Sequence, residues 1–217
     1  MDNRSLENLP TEADLAKITD NKSAFIDRLL SLIETEIVPL TRQGVREGNK
    51  IFGGAILRKS DLSTVVAVTN AETGNPLNHG EINTINVFYE LPRAERPATK
   101  DCIFISTHEP CSLCLSGITW TGFDNFFYLF SYEDTKDAFN IPHDLKILDE
   151  VFNCPDGRYT RKNDYWCCWG IQELIGQVAG AERKEFEARI AVLRKTYDEL
   201  SEVYQASKGQ GADIPLD

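Results

Sequence analysis

Two short segments of the sequence carry residue types that can hold a metal ion and move protons. The first is His79-Gly80-Glu81 and the second is Pro110-Cys111-Ser112-Leu113-Cys114. Either segment alone is a weak signal, because His-x-Glu and Cys-x-x-Cys also occur by chance and in redox or structural sites. Together they supply three donor atoms of the kinds that zinc prefers and one carboxylate, which indicates a metal site with acid–base chemistry.

The spacing of these residues predicts a three-ligand metal site at the starts of two helices. Cys111 and Cys114 are three residues apart, so they lie on one face of a helix. Pro110 suits a helix start, where its missing N–H costs nothing, and the positive end of the helix dipole favours thiolates there. With His79 as the third ligand, the fourth tetrahedral position stays open for water, which is the ligand count of a catalytic zinc site.

Glu81 is the residue that would turn this metal site into a catalytic one. Zinc lowers the pKa of a bound water molecule toward about 7. A carboxylate beside that water can accept its proton and later deliver it to a leaving group. We therefore predict Zn²⁺ as the cofactor, with His79, Cys111 and Cys114 as its ligands and Glu81 as the catalytic residue.

Other uses of the thiols stay open at this point. A redox pair of Cys111 and Cys114 would leave His79 and Glu81 without a role, and no Trp precedes the first cysteine. A structural zinc site would need a fourth ligand. Its candidate donors are Cys102, His108, Cys154, Cys167 and Cys168, for the first two of which we expect buried packing. The last three could also form a second metal site with His143, although adjacent cysteines bind one ion awkwardly.

Alternating strands and helices have to bring the two segments together. Hydrophobic periodicity predicts a helix that is capped by Ser23 and ended or kinked by Pro39. Apolar runs at 54–57 and 65–68, with polar residues between them, predict an antiparallel hairpin. The elements expected after the hairpin are a helix from about 80, a strand at 101–107, a helix from about 111 and a strand at 126–130. This order predicts an α/β fold of three layers, with helices on both faces of a mixed sheet.

The second half of the chain is predicted to be mainly helical. Helices are expected at 134–140, 145–152 and 169–176, followed by a long helix at 181–204 whose apolar seam packs on the protein's own surface. Aromatic residues at 159–169 are interpreted as core, with cover for a pocket as the alternative. The predicted units are a loose N-terminal arm (1–19), a core that carries the site (20–135) and a C-terminal extension (136–217) that packs on the core.

The order and spacing of the two segments resemble the zinc-dependent cytidine and deoxycytidylate deaminase superfamily, which includes cytosine, guanine and tRNA adenosine deaminases. The resemblance covers about residues 46–130 and implies a cytidine deaminase-like fold, with a five-stranded mixed sheet flanked by helices. Here extra C-terminal helices would follow it. It also implies a hydrolase that removes an amine from a free nucleobase, nucleoside or mononucleotide and releases ammonia.

The same resemblance implies two residues that bind the base. Asn70 follows the second predicted strand, where guanine and tRNA adenosine deaminases place a base-binding asparagine. The backbone N–H of Gly80 would contact the base near the metal. The sequence His-Gly-Glu-Ile is closer to that of fungal cytosine deaminases, whereas Asn70 and the loop before His79 are closer to guanine deaminases. A guanine-like or a cytosine-like amine is therefore expected.

Charge indicates which partners to expect. The formal net charge is −11, from 34 acidic and 23 basic residues, whereas nucleic-acid binders usually carry a basic patch. The basic stretch at 158–162 is interpreted as a solvated loop. We expect a small nucleobase-like substrate, with a tRNA or polynucleotide deaminase and a non-catalytic zinc-binding assembly partner as alternatives. A homodimer also stays open.

Cysteine usage and hydropathy indicate the compartment. The sequence has no apolar run of about 18 residues for a membrane span, and its first residues lack the apolar core of a signal peptide. Six cysteines in such a chain are expected to be metal ligands or buried thiols rather than disulfides. We therefore expect a cytoplasmic protein that contacts no membrane.

Overall fold

One mixed sheet of five strands organises the molecule, whose computed structural model describes residues 9–137, 143–208 and 214–215. The strands are β1 (Gly53–Arg58), β2 (Thr64–Thr69), β3 (Cys102–His108), β4 (Asn125–Phe130) and β5 (Cys167–Gly170). They lie in the order β2-β1-β3-β4-β5. β1 is antiparallel to β2 and β3, whereas β4 is parallel to β3 and β5. The predicted five-stranded mixed sheet and its first hairpin are confirmed.

Helices cover both faces of this sheet. In the described part of the chain they are α1 (Glu12–Leu15), α2 (Lys22–Leu32), α3 (Val38–Arg46), α4 (Gly80–Glu90), α5 (Ser112–Thr121), α6 (Tyr132–Asp137), α7 (His143–Phe152), α8 (Ile171–Gly176) and α9 (Gly180–Ser207). A π-helical turn, Ile33–Ile37, joins α2 to α3, and short 3₁₀ turns lie at Thr99–Asp101 and Pro155–Gly157. Residues 138–140 of the predicted helix at 134–140 lie outside the described residues.

The strands bury side chains on both faces and so separate two hydrophobic cores. On one face, Ile105 of β3 and Phe127 of β4 pack with α2, α3, α8 and α9. On the other face, Phe104 and Phe126 pack with α4 and α5. Neighbouring residues of a strand point in opposite directions, so two helical layers enclose the sheet. This is the predicted three-layer α/β/α architecture.

Pro39 does not end the first long helix, which was one of the two outcomes predicted for it. The cap is Asn21 rather than Ser23, and its side chain accepts a hydrogen bond from the N–H of Ala24 at 3.1 Å. The helical path then runs through α2, the π turn and α3 to Arg46. The π turn makes Pro39 one of the first residues of a new α-helical segment, where a missing N–H removes no bond.

The fifth strand replaces the first part of a predicted helix. The prediction of a helix at 169–176 is wrong for Trp169 and Gly170, which belong to β5, and correct for α8. Trp169 stacks on Phe127 with ring centroids 5.0 Å apart, so packing in the core holds this short strand. β5 lies beyond residue 135, within the predicted extension, and the division of the chain into units stays a prediction.

α9 packs on the molecule's own core, as its apolar seam predicts. Its buried residues are Phe186, Ile190, Leu193, Tyr197, Leu200, Ser201 and Tyr204. Tyr197 is fully buried, and its ring lies 5.3 Å from that of Phe130 in β4. Arg189 forms ion pairs with Asp27 at 2.6 Å and with Glu34 at 2.7 Å. The last helix is therefore joined to the first long helix and to the sheet.

The described part of the predicted N-terminal arm makes specific contacts. Thr11 and Asp14 cap α1 reciprocally, and Leu15 is buried. The carboxylate of Asp14 accepts a hydrogen bond from Lys162 at 2.7 Å. This ion pair links the N-terminal residues to the loop before β5. None of the described helices is both long and apolar enough to span a membrane.

Candidate active site

The N-termini of two helices meet at the predicted metal site. His79 is the N-cap residue of α4 and Cys111 is the N-cap residue of α5. Neither side chain caps its own helix with a hydrogen bond, so the imidazole and the thiol stay available as ligands. The first N–H groups of a helix have no partners inside it, and its dipole is positive there. Two such ends favour negative charge on the ligands between them.

The three donor atoms have the spacing that one zinc ion requires. Cys111 Sγ lies 3.4 Å from His79 Nδ1 and 3.6 Å from Cys114 Sγ, and Cys114 Sγ lies 3.7 Å from His79 Nδ1. Tetrahedral zinc with bonds of about 2.3 Å to sulfur and about 2.0 Å to nitrogen separates two sulfurs by about 3.8 Å and sulfur from nitrogen by about 3.5 Å. The donor set and its geometry therefore fit a zinc ion.

Glu81 lies directly beside this donor set. Its Oε2 accepts a hydrogen bond from the Cys114 thiol at 3.2 Å, and its Oε1 accepts one from Ser106 Oγ at 2.8 Å. Ser106 belongs to β3, the central strand of the sheet. The carboxylate is buried and held on both oxygens, so its direction relative to the metal ligands is fixed.

Burial and close charges shift the acidities of these groups. Hydrogen bonding with Cys114, together with the His79 contact, holds the pKa of the Cys111 thiol well below its usual range. Burial lowers the pKa of His79, but the contact with Cys111 outweighs it and raises the pKa to about 9. Burial raises the pKa of Glu81. The site thus favours a thiolate, the form that binds metals, and a carboxyl group with raised proton affinity.

Gly80 is required by the close approach of α4 to the start of β1. A Cβ atom at Gly80 would lie 2.9 Å from the backbone N of Gly53 and 2.9 Å from the carbonyl carbon of Phe52. Backbone atoms cannot rotate away, so a larger residue would displace the helix that carries Glu81. The N–H of Gly80 is the first of its helix and has no acceptor within it. Its contact with a base stays a prediction.

An ionic cluster that the sequence analysis missed lies beside the imidazole. Glu72 is 3% exposed and accepts a hydrogen bond from Lys50 Nζ at 3.1 Å. The same oxygen, Oε1, lies 3.5 Å from His79 Nε2. Asn70, the predicted base ligand, donates from Nδ2 to Oε2 of Glu72 at 2.6 Å. One carboxylate therefore connects Asn70 to the metal site. The loop sequence Asn-Ala-Glu carries no signal for such a cluster.

Asp144, near the start of α7, lies within range of the charges of the site, and the sequence did not indicate it. It is close enough to Cys111, His79 and Glu81 for their charges to act on it, and burial raises its pKa to about 8. A carboxyl group with this pKa is largely protonated at neutral pH and can both donate and accept hydrogen bonds. In the sequence it is one acidic residue in the first turn of a helix, which is an ordinary position.

The loop that delivers Cys111 is held by residues from the second half of the chain. Glu109 Oε1 accepts a hydrogen bond from the Tyr159 hydroxyl at 2.8 Å, and its Oε2 accepts one from the backbone N–H of Tyr132 at 3.1 Å. The Tyr132 hydroxyl donates to the carbonyl of Pro110. These aromatic residues therefore support the ligand loop from inside the protein.

The other cysteine and histidine donors do not join the site. Among the described residues, the metal-binding side chains that cluster in a group of three or more are His79, Cys111 and Cys114. Neither a fourth ligand nor the second metal site considered above is formed by that part of the chain. All six cysteines are free thiols, as expected. His108 is buried against aromatic rings, and this burial lowers its pKa to about 3.

A family model described as the cytidine and deoxycytidylate deaminase zinc-binding region matches residues 34–130. The match contains both segments of the site and ends with the last residue of β4. Residues 34–130 are therefore similar to the zinc-binding region of this deaminase family. The resemblance predicted from the motifs for 46–130 is thereby confirmed, and the matched region begins about one helix earlier.

Two curated proteins resemble the deaminase region. A probable cytosine deaminase of Schizosaccharomyces pombe is 23% identical over 120 residues, which cover 55% of this chain and 66% of the relative. A guanine deaminase of Bacillus subtilis is 29% identical over 102 residues, which cover 46% of this chain and 64% of the relative. The chain thus spans slightly less than two thirds of the length of each.

Three solved structures are similar to parts of this chain. The guanine deaminase of Bacillus subtilis is 26% identical and has a TM-score of 0.42, over 54% of this chain and 69% of its own. A guanine deaminase of Nitrosomonas europaea is 16% identical and has a TM-score of 0.45, over 78% of this chain and 81% of its own. A tRNA:A34 deaminase is 15% identical and has a TM-score of 0.42, over 69% of this chain and 94% of its own.

Proposed function

We propose that this protein is a zinc-dependent hydrolytic deaminase of a free nucleobase, nucleoside or mononucleotide. The observation that carries the proposal is the position of Glu81, whose carboxylate lies 3.2 Å from Cys114 Sγ beside three donors spaced for one zinc ion. A structural zinc site has four protein ligands, and no fourth donor of the described residues joins this group. Three ligands beside a buried carboxylate are the arrangement of a catalytic site.

The residues of the site can perform the hydrolysis between them. Zinc held by His79, Cys111 and Cys114 would supply the Lewis acidity that lowers the pKa of water toward about 7. Glu81 accepts a proton as the water oxygen bonds to the amine-bearing carbon, and passes it to the adjacent ring nitrogen. It then carries the second proton from the new hydroxyl group to the amine. The C–N bond breaks, ammonia leaves, and a carbonyl group remains on the ring.

Three groups are proposed to hold the base. Asn70 has two donors and two lone pairs on its side-chain amide, and Glu72 uses one of each. One donor and one acceptor remain for the edge of a base. The N–H of Gly80 would donate a hydrogen bond to a ring nitrogen or a carbonyl oxygen of the base, and the Asp144 carboxyl group would accept one from an N–H group. This donor and acceptor pattern suits a flat heterocycle with an exocyclic amine.

Guanine and cytosine are the first substrates to test. Both carry the amine on a carbon next to a ring nitrogen, as the proposed proton transfers require. The two curated relatives are a probable cytosine deaminase and a guanine deaminase, which supports bases of these two types equally.

The test is ammonia release from guanine, cytosine, adenine and their nucleosides and nucleotides by zinc-loaded protein. In water enriched in ¹⁸O, the product of a hydrolytic deaminase takes up one labelled oxygen atom. Cys114→Ser protein, which lacks one ligand, is the control for contaminating activity. We expect release from at least one compound with the label in the product. Protein that holds one zinc ion per chain and deaminates none of these compounds would contradict the proposal.

A further inference from the structure

A buried carboxylate outside the predicted catalytic residues connects the metal-binding imidazole to the predicted base-binding amide. Glu72 lies in the loop between β2 and α4 and is 3% exposed. Its Oε1 accepts a hydrogen bond from Lys50 Nζ at 3.1 Å and lies 3.5 Å from His79 Nε2. Its Oε2 accepts a hydrogen bond from Asn70 Nδ2 at 2.6 Å. One side chain thus contacts three polar groups.

The contacts with Glu72 determine which way the Asn70 amide points. The backbone N–H of Glu72 can only donate, and it donates to Asn70 Oδ1 at 3.0 Å. An ionised carboxylate can only accept, and it accepts from Asn70 Nδ2. A flipped amide would place donor against donor and acceptor against acceptor. Glu72 therefore selects one amide orientation and leaves one N–H and one lone pair for a ligand.

The same carboxylate favours one tautomer of His79. Nδ1 of the imidazole faces the thiols of Cys111 and Cys114 at 3.4 and 3.7 Å, and Nε2 faces Glu72. A neutral imidazole carries one proton, and a negative charge beside Nε2 favours the proton on that nitrogen. The lone pair then lies on Nδ1, where metal binding requires it.

Lys50 makes it feasible to bury this carboxylate. The side chains of Lys50 and Glu72 are 8% and 2% exposed, and a buried charge without a partner is costly. The ion pair offsets that cost and holds Glu72 in place between His79 and Asn70. Removing either charge alone would leave the other one buried, so a test needs a variant that removes both.

We propose that Glu72 is a positioning residue that fixes the tautomer of His79 for metal binding and the amide orientation of Asn70 for base binding. Only the role of Asn70 toward a base rests on the proposed function. Substitution of Glu72 should weaken metal binding although every metal ligand is retained. Partners of metal-binding histidines typically change metal affinity by about 10- to 100-fold when they are substituted.

The first readout is the zinc dissociation constant, measured by competition with a chelating dye. Glu72→Gln should raise it about 10- to 100-fold. Glu90→Gln, at the exposed end of α4, removes the same charge and should change it by less than about twofold. Lys50→Gln combined with Glu72→Gln removes both buried charges and should weaken zinc binding as Glu72→Gln does. If Glu72→Gln alone does not fold, this double variant tests the role of Glu72 in zinc binding.

The second readout is ¹⁵N NMR of the metal-free protein at alkaline pH, above the pKa of about 9 of His79, so that the imidazole carries one proton. The chain has three histidines, so the signals of His79 can be assigned. The proton should lie mainly on Nε2 in the original protein and be shared between both nitrogens in Glu72→Gln. The side-chain amide protons of Asn70 should exchange faster with solvent in the variant. A folded variant in which zinc affinity, the His79 tautomer or the Asn70 exchange equals that of the original protein would overturn the proposal.

These readouts need no substrate, so they separate the two proposals. If the original protein binds zinc but deaminates nothing, the proposed function fails, while the zinc affinity and the NMR signals still decide the role of Glu72. If deamination is found and Glu72→Gln changes neither zinc affinity nor the tautomer, the role of Glu72 fails and the proposed function stands.

Discussion

Glu81 is held on both oxygens beside the three side chains that could hold a metal ion. The Cys114 thiol and the Ser106 hydroxyl are its hydrogen-bond donors. When zinc binds, Cys114 acts as a thiolate and ceases to donate, so Ser106 becomes the main support of the carboxylate. At the scale of single residues, the direction of the Glu81 carboxylate, the proposed proton carrier, therefore depends on a serine of the central strand.

Ser106→Ala should slow turnover about tenfold and leave the zinc content unchanged. A hydrogen bond to a charged group contributes about 1.5–3 kcal/mol, and tenfold in rate corresponds to about 1.4 kcal/mol. Ser116→Ala, on the exposed side of α5, is the matched control and should have no effect. Equal turnover of Ser106→Ala and the original protein would show that this hydroxyl does not orient Glu81.

Residue types and spacing predict which ligands meet, because each half of the donor set is a local motif at a helix start. The structure brings together His79, Glu81, Cys111 and Cys114, all of which the sequence indicated. Lys50, Glu72 and Asp144 could not be predicted in the same way. Their contacts depend on how separate loops and α7 fold back onto the site, and single acidic or basic residues carry no spacing signal.

At the scale of elements, the packing of α4 against β1 sets the positions of His79 and Glu81. Gly80→Ala would place a Cβ atom 2.9 Å from backbone atoms of residues 52 and 53, so the start of α4 must shift. We expect at least tenfold weaker zinc binding and a lower melting temperature, although the backbone N–H is retained. A Cβ atom at Gly74 would lie 3.7 Å from its nearest neighbour, so Gly74→Ala should change neither zinc affinity nor melting temperature. Unchanged zinc affinity in Gly80→Ala would show that the packing of α4 against β1 does not set the position of His79.

The long C-terminal helix α9 should be essential for the stability of the sheet. Tyr197→Ala should destabilise the protein by about 3–5 kcal/mol, the range for truncation of a buried aromatic residue. Val192→Ala, on the side of α9 that is 67% exposed, should cost less than about 0.5 kcal/mol. Denaturant unfolding measures both. Two separate transitions, with Tyr197→Ala affecting one of them, would show that α9 belongs to an independent unit.

Most elements follow from local patterns, and the exceptions have physical reasons. The hairpin, the buried strands and the amphipathic helices are confirmed because apolar periodicity and burial agree there. The helix continues past Pro39 because a π turn, which has no simple sequence signal, accommodates the proline. β5 is missed because Cys167–Gly170 is only four residues long and gains its stability from β4 and from the stacking of Trp169 on Phe127.

At the scale of the whole molecule, the basic stretch at 158–162 does not form a basic groove that offsets the acidic charge. Arg161 forms an ion pair with Glu173 at 2.7 Å, Lys162 with Asp14 at 2.7 Å, and Arg158 with Asp156 at 3.3 Å. These cations are therefore engaged by carboxylates of the protein itself. A phosphate backbone would have to compete with them.

Transfer RNA should not bind under conditions in which a small base is deaminated. With a net charge of −11 and this loop internally paired, we expect no retarded band in a gel up to about 10 µM protein at low salt. A complex that weakens with salt and disappears in Arg161→Ala would favour the polynucleotide alternative instead.

The most direct test of the central claim combines zinc content with turnover in Glu81→Gln. This substitution keeps the shape of the side chain and all three metal ligands, but it removes the proton carrier. We predict one zinc ion per chain in both proteins, and a loss of ammonia release of at least about 10³-fold in the variant. A variant that holds zinc and releases ammonia at a rate close to that of the original protein would contradict the account.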